Sequence, residues 1–217
     1  MLLTPNAMSR RMRYGLYFTT GLIALFLRAR VSPGDVVVCT AGTYPTFRYF
    51  AEGVGAEIVE VPYAEHDGVL VNDLPALAAA ANAHQAALVY LANPDNPTGT
   101  FYPRDAIASL RAALADDTLL LLDEAYVDFC AAAERQGVLA NTVRLRTLSK
   151  AHGLAGLRVG YAIAPEEWVA KADQIRTQFA VSSVAQAAAV AVLDVPHCAD
   201  TIIRDTCLLR EQLHAAL

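Results

Sequence analysis

The chain is 217 residues long, 55% hydrophobic and 18% charged, a composition that supports a sizeable buried core and excludes wholesale disorder. Seventeen Lys and Arg against twenty-two Asp and Glu leave a formal charge of −5, without the basic footprint of a nucleic-acid binder. Its cysteines, Cys39, Cys130, Cys198 and Cys207, form no CxxC pair, so neither a disulfide framework nor a zinc site is expected, and a cytoplasmic setting is.

Near the N-terminus, Arg10, Arg11 and Arg13 precede an apolar run from Leu16 to Leu27, the outline of a signal peptide. The run is shorter than the roughly 20 residues needed to span a bilayer as a helix. It is followed by Arg28-Ala29-Arg30 rather than a small-x-small cleavage site, and it sets Leu22, Leu25 and Phe26 at helical spacing. A buried helix is therefore expected, with no membrane partner.

Beyond Val31, strands and helices alternate. Strands are predicted at Val36–Cys39, Glu57–Val61, Ala87–Leu91, Leu119–Leu122, Val143–Leu145 and Val159–Ile163, several of them continuously apolar as parallel strands covered on both faces are. Helices are predicted between them at Tyr44–Gly53, Asp73–Asn82, Pro103–Ala115 and Ala131–Gln136. After Pro165 the pattern is helical, through Glu166–Ala172, Val184–Leu193 and Ala199–Ala216. Together these predict an α/β fold, three layers α/β/α around a mainly parallel sheet, with a helical C-terminal tail.

Ligands of open α/β sheets bind at the carboxyl ends of strands, and three polar groups stand at such ends. They are Asn93-Pro94-Asp95-Asn96-Pro97-Thr98-Gly99, Asp123-Glu124-Ala125-Tyr126 and Ser149-Lys150. Each has a plain alternative: a tight turn for the first, a helix cap for Asp123, a solvated surface lysine for Lys150. Arg158 has one too, as the partner of an acidic neighbour.

In this order, NPDNPTG, DEAY and TLSKAHGLAGLRVGY resemble the motifs of the fold-type I pyridoxal-phosphate aminotransferases (class I/II), and most closely the histidinol-phosphate aminotransferase subgroup. The likeness runs from about Leu22 to Ser183. It implies pyridoxal 5'-phosphate as cofactor, with Lys150 forming the aldimine and shuttling the substrate proton. Asp123 matches the partner of the pyridinium nitrogen, Asn96 and Tyr126 the two hydrogen-bond partners of the phenolate oxygen, and Tyr44 the stacking aromatic. Ser149 and Arg158 match phosphate contacts, a hydroxyl and a guanidinium fork suited to a dianion. Lys150, Asp123 and Tyr126 carry the implied catalysis. Glu124 and Tyr161 are expected to be structural, and His152 to serve in packing.

The resemblance also implies a homodimer and small-molecule partners, an amino acid and a 2-oxo acid or histidinol-phosphate-type substrate of amino-acid (histidine) biosynthesis. Residues 14–183 are expected to form the cofactor-binding large domain, partial at its N-terminus, and residues 184–217 a helical segment leading to an absent small domain. The pattern departs from the family in three places. The phosphate-cradling stretch reads Tyr17-Phe18-Thr19-Thr20-Gly21, Met1–Arg13 does not resemble the family's N-terminal arm, and the substrate-carboxylate arginine lies beyond Leu217. A decarboxylase of a phosphorylated amino acid and a truncated, catalytically impaired remnant remain as alternatives.

Overall fold

A computed structural model describes residues 13–17, 19–130 and 139–217. In chain order its elements are β1 (Arg13–Tyr17), α1 (Thr19–Arg30), β2 (Val36–Thr40), α2 (Pro45–Gly53), β3 (Glu57–Val61), β4 (Ala64–His66), β5 (Val69–Val71) and α3 (Leu74–Ala83). There follow β6 (Leu88–Ala92), α4 (Arg104–Ala113), β7 (Leu119–Asp123), β8 (Thr142–Thr147), β9 (Gly160–Ala164), α5 (Glu166–Ile175), α6 (Ser183–Asp194) and α7 (Asp200–Ala216).

The two most apolar strands, LVYLA of β6 and LLLLD of β7, are buried at every residue because they run side by side at the centre of a sheet covered on both faces. The sheet order is β1-β9-β8-β7-β6-β2-β3. The five strands from β8 to β3 are mutually parallel, whereas β9 lies antiparallel to both β8 and β1. Alternate residues face opposite layers, as the two-residue period requires. Val37, Leu88, Leu119 and Leu121 pack with α1, α2 and α5 through Phe26, Phe47 and Trp168. Val38, Val89, Leu120 and Leu122 pack with α3 and α4 through Leu77, Ile107 and Leu110. This is the expected three-layer architecture.

The apolar run near the N-terminus divides between two elements. Its first residues end the edge strand β1, which pairs Arg13 to Tyr17 with Ala164 to Gly160, and Thr19 to Leu27 lie in α1. Within α1, Leu22, Leu25 and Phe26 are buried, as their spacing predicts. No helix among the described residues is long and apolar enough to cross a membrane. The β4–β5 hairpin has no counterpart among the predicted elements. Asp73 stands outside its helix as the N-cap, accepting a hydrogen bond from the Ala76 amide at 2.9 Å. The predicted helix Ala131–Gln136 falls outside the described residues.

One ion cluster is built into the sheet. Glu124, immediately after β7, accepts from Arg144 Nε at 3.0 Å and Arg146 Nε at 2.7 Å. Arg144 Nη2 lies 3.0 Å from the same carboxylate, with side-chain exposures of 3% and 2% for the pair. Arg146 reaches on to Asp128 at 3.3 Å. Removing one member of a buried pair strands the other's charge. Glu124→Ala is expected to lower the unfolding free energy in urea by roughly 3 kcal/mol; a loss below about 1 kcal/mol would show that the cluster does not tie β7 to β8.

Candidate active site

Parallel strands β6, β7 and β8 end side by side, so the loops that follow them converge. The loop after β6 is fixed by its own polar side chains. The Asn93 side chain donates to the Tyr102 carbonyl at 2.9 Å and accepts from the Tyr102 amide at 2.8 Å. Buried Asp95 accepts from the Tyr63 hydroxyl and the Thr98 hydroxyl, each at 2.9 Å. Gly99, at φ +74°, closes the turn. With Asn93 and Asp95 turned inward, Pro94 and Asn96 line the cleft.

Beyond β7, Tyr126 begins a short 3-10 turn and lines the same cleft beside Asp123 and Ala125. From β8 come Thr147, Ser149 and Lys150. The Lys150 amine lies 5.0 Å from the centre of the Tyr126 ring, within cation–π range. Arg158 takes a left-handed backbone, φ +52° and ψ +51°, unusual outside glycine and often found at functional sites. Tyr44, just before α2, closes one side, and Thr20 and Ile23 of α1 close another.

All seven expected residues, Tyr44, Asn96, Asp123, Tyr126, Ser149, Lys150 and Arg158, thus line one cleft. The others singled out lie elsewhere. Glu124 engages the two arginines, and Tyr161 packs on the small cluster of Leu148, Val159, Val181 and Ala185. His152 Nδ1 stands 3.6 Å from Cys198 Sγ, joining the lysine loop to the segment before α7. In the departing stretch after β1, the helix begins at Thr19 and Thr20 reaches the cleft, so the first turn of α1 opens onto it.

Asp123 is the site's least comfortable group. Burial is the main cause that pushes its carboxyl from 3.8 up to about 6, and Glu124 adds to the rise. The Tyr90 hydroxyl, 3.0 Å from Oδ2, the Ala125 amide, 3.1 Å from Oδ1, and Lys150 work in the opposite direction. Tyr90 was not among the residues expected at the site. Its signal in the sequence is a tyrosine inside an otherwise apolar strand, where a buried hydroxyl requires a partner.

Residues 18–216 match the family described as aminotransferase class I and II. Histidinol-phosphate aminotransferase 2 of Ralstonia nicotianae is 42% identical over 178 residues, 79% of this chain and 46% of that protein. Histidinol-phosphate aminotransferase 2 of Bacillus cereus is 35% identical, over 84% of this chain and 50% of that one. The chain therefore spans about half the length of these relatives. The crystal structure of histidinol-phosphate aminotransferase from Sinorhizobium meliloti in complex with pyridoxal-5'-phosphate superposes with a TM-score of 0.84 at 37% identity, covering 92% of this chain and 55% of that one. With the family model matched over residues 18–216, the chain belongs to the class I and II aminotransferase family.

Proposed function

We propose that this chain forms the cofactor-binding half of a pyridoxal-phosphate-dependent aminotransferase of the histidinol-phosphate type. The observation that carries the reading is the convergence of an amine, a buried carboxylate, an amide and a phenol from three strand ends onto one cleft. The donor set suits this cofactor at each of its polar groups. Ser149, Arg158 and the first turn of α1 offer a hydroxyl, a guanidinium and helix N–H groups for a phosphate dianion. Asp123 offers a carboxylate for a cationic ring nitrogen, and Asn96 and Tyr126 offer donors for a phenolate. When bound, the cofactor supplies an electron sink for the pair left as the substrate Cα–H bond breaks.

The chain's own residues then have distinct tasks. Lys150 Nζ anchors the cofactor and afterwards holds and moves the proton taken from the substrate Cα. Lys150 lines the cleft and is exposed, so a ligand can reach it. Asp123 keeps the ring nitrogen protonated. Tyr44, which lines one side of the cleft, offers its ring for stacking. The substrates are small molecules, an amino acid and a 2-oxo acid or a phosphorylated compound such as histidinol phosphate. Residues 14–183 make up the cofactor-binding domain and 184–217 a helical extension, in a cytoplasmic homodimer. The relatives' names favour amino-group transfer over decarboxylation.

Pyridoxal phosphate added to the purified chain should produce a visible absorption band that survives gel filtration, and Lys150→Ala should abolish it. The absence of such a band in the unmodified chain at saturating cofactor would overturn the reading.

The buried carboxyl supplies a second test. Because its pKa is raised, the folded protein holds the Asp123 proton more tightly than the unfolded chain does. The associated stability is fully present below pH 3.8 and is lost as pH rises through about 6. Relative to Asp123→Asn, the cofactor-free protein should lose roughly 3 kcal/mol of stability between pH 3.5 and pH 7 and little above that. Parallel urea curves measure the difference. A pH-independent difference would mean that Asp123 titrates as an ordinary exposed carboxyl.

A further inference from the structure

Tyr90 sits at the centre of β6 and is 1% exposed. Its hydroxyl donates to Asp123 Oδ2 at 3.0 Å, across the pairing of β6 with β7, while the Ala125 amide donates to Oδ1 at 3.1 Å. The amide's position is set by the loop backbone. The phenol's is set by its ring, which lies flat against Phe47 with centroids 4.3 Å apart and planes 11° from parallel. Phe47 belongs to the first turn of α2, three residues after Tyr44, so one helix start places both the aromatic at the cleft wall and the ring that fixes Tyr90.

We propose that Tyr90 is a positioning residue for the cofactor: its hydroxyl holds the Asp123 carboxylate ionised and aimed into the cleft, ready for a cationic ring nitrogen. The inference rests on the reading of the cleft as a pyridoxal-phosphate site. A hydrogen bond donated to the charged form of an acid favours that form. Here it counters burial, the effect that pushes the Asp123 carboxyl upward.

The other groups acting on this pair do not replace the phenol. Glu124 raises the Asp123 carboxyl but is itself paired with Arg144 and Arg146, and Lys150 lowers it only through space. Tyr44 and Asp95 act on the Tyr90 hydroxyl and, with burial and Asp123 itself, hold it protonated well above the usual tyrosine range. It therefore remains a donor wherever the enzyme works. From α1, the cleft receives Thr20 and Ile23, neither of which titrates.

The test uses the full chain and Tyr90→Phe, which keeps the ring and its stack on Phe47 and removes only the hydroxyl. Pyridoxal phosphate is titrated into both proteins, followed by absorption, at pH 6.5 and pH 8.5. The cofactor's own titration is common to both proteins and cancels in the comparison. At pH 6.5 Tyr90→Phe should bind about tenfold more weakly, the size expected for a lost hydrogen bond to a charged group. At pH 8.5 the gap should close to about twofold or less, because the carboxyl is ionised in both proteins. An analogue with carbon in place of the ring nitrogen should bind the two proteins equally, and Tyr90→Phe should have no further effect in an Asp123→Asn background. Thermal melting checks that the variant is folded; should it melt early, Phe47→Leu, which leaves both hydrogen-bonding groups in place, should shift binding in the same direction by less.

Equal affinity of wild type and Tyr90→Phe at both pH values would overturn the role. So would a loss independent of pH, or one shared by the carbon analogue, since either marks a merely structural effect. Failure of the wild type to bind pyridoxal phosphate at all would overturn the cofactor reading, and this role with it.

Discussion

A carboxylate at the end of a strand that is otherwise four leucines is the constraint around which the site is arranged. Asp123 continues LLLL of β7 into the cleft, and its neighbours β6 and β8 cover it on both sides. Burial of this kind favours the protonated acid, and a site that needs the anion must supply donors and a nearby cation. The structure supplies a backbone amide, a phenol and the Lys150 amine. The β6–β7 register, which places Ala92 opposite Asp123, brings the Tyr90 hydroxyl within reach two residues earlier on the same face. Placement of the lysine loop follows from the same parallel pairing of β7 with β8.

Around this centre the polar side chains form a second layer beneath the loops. Asn93 clamps Tyr102, Asp95 gathers Tyr63 and Thr98, and Glu124 binds Arg144 and Arg146. None of these reaches into the cleft. They fix the loops that do, which is how a site carried by loops acquires the precision of the strands beneath it. It also explains why each motif contains more polar residues than line the cleft. In NPDNPTG, Asn93 and Asp95 shape the turn and Asn96 is presented by it; in DEAY, Glu124 anchors and Asp123 and Tyr126 face the cleft.

Much of this was legible in the sequence because the chemistry sits at the ends of strongly apolar runs. LVYLA and LLLLD are hard to read as anything but covered strands, and the polar residues directly after them fall where α/β sheets bind ligands. What escaped detection depends on pairing rather than on local pattern. In RYGLY, Leu16 and Tyr17 read as the start of the apolar run, and only the partner β9 makes the segment a strand. The β4–β5 hairpin is short and largely exposed, so no buried face marks it. Tyr90 looks like one more core aromatic until the register shows where its hydroxyl goes. The stretch around Thr19 and Thr20 departs from the family's polar pattern, yet α1 still starts at the cleft, since helix position is set by the packing of Ile23, Phe26 and Leu27.

The lysines make the central claim unusually accessible to chemistry. The chain has two, Lys150 at the cleft and Lys171 on α5, the latter with its amine 4.3 Å from the Trp168 ring centre. Borohydride fixes a carbonyl compound to an amine with which it has condensed. Treating the chain with equimolar pyridoxal phosphate, then borohydride, and mapping the labelled peptides by mass spectrometry compares the two amines within one molecule. Label confined to the peptide that carries Lys150 is the predicted result. Comparable label on Lys171, or none on Lys150, would contradict a cofactor site in this cleft.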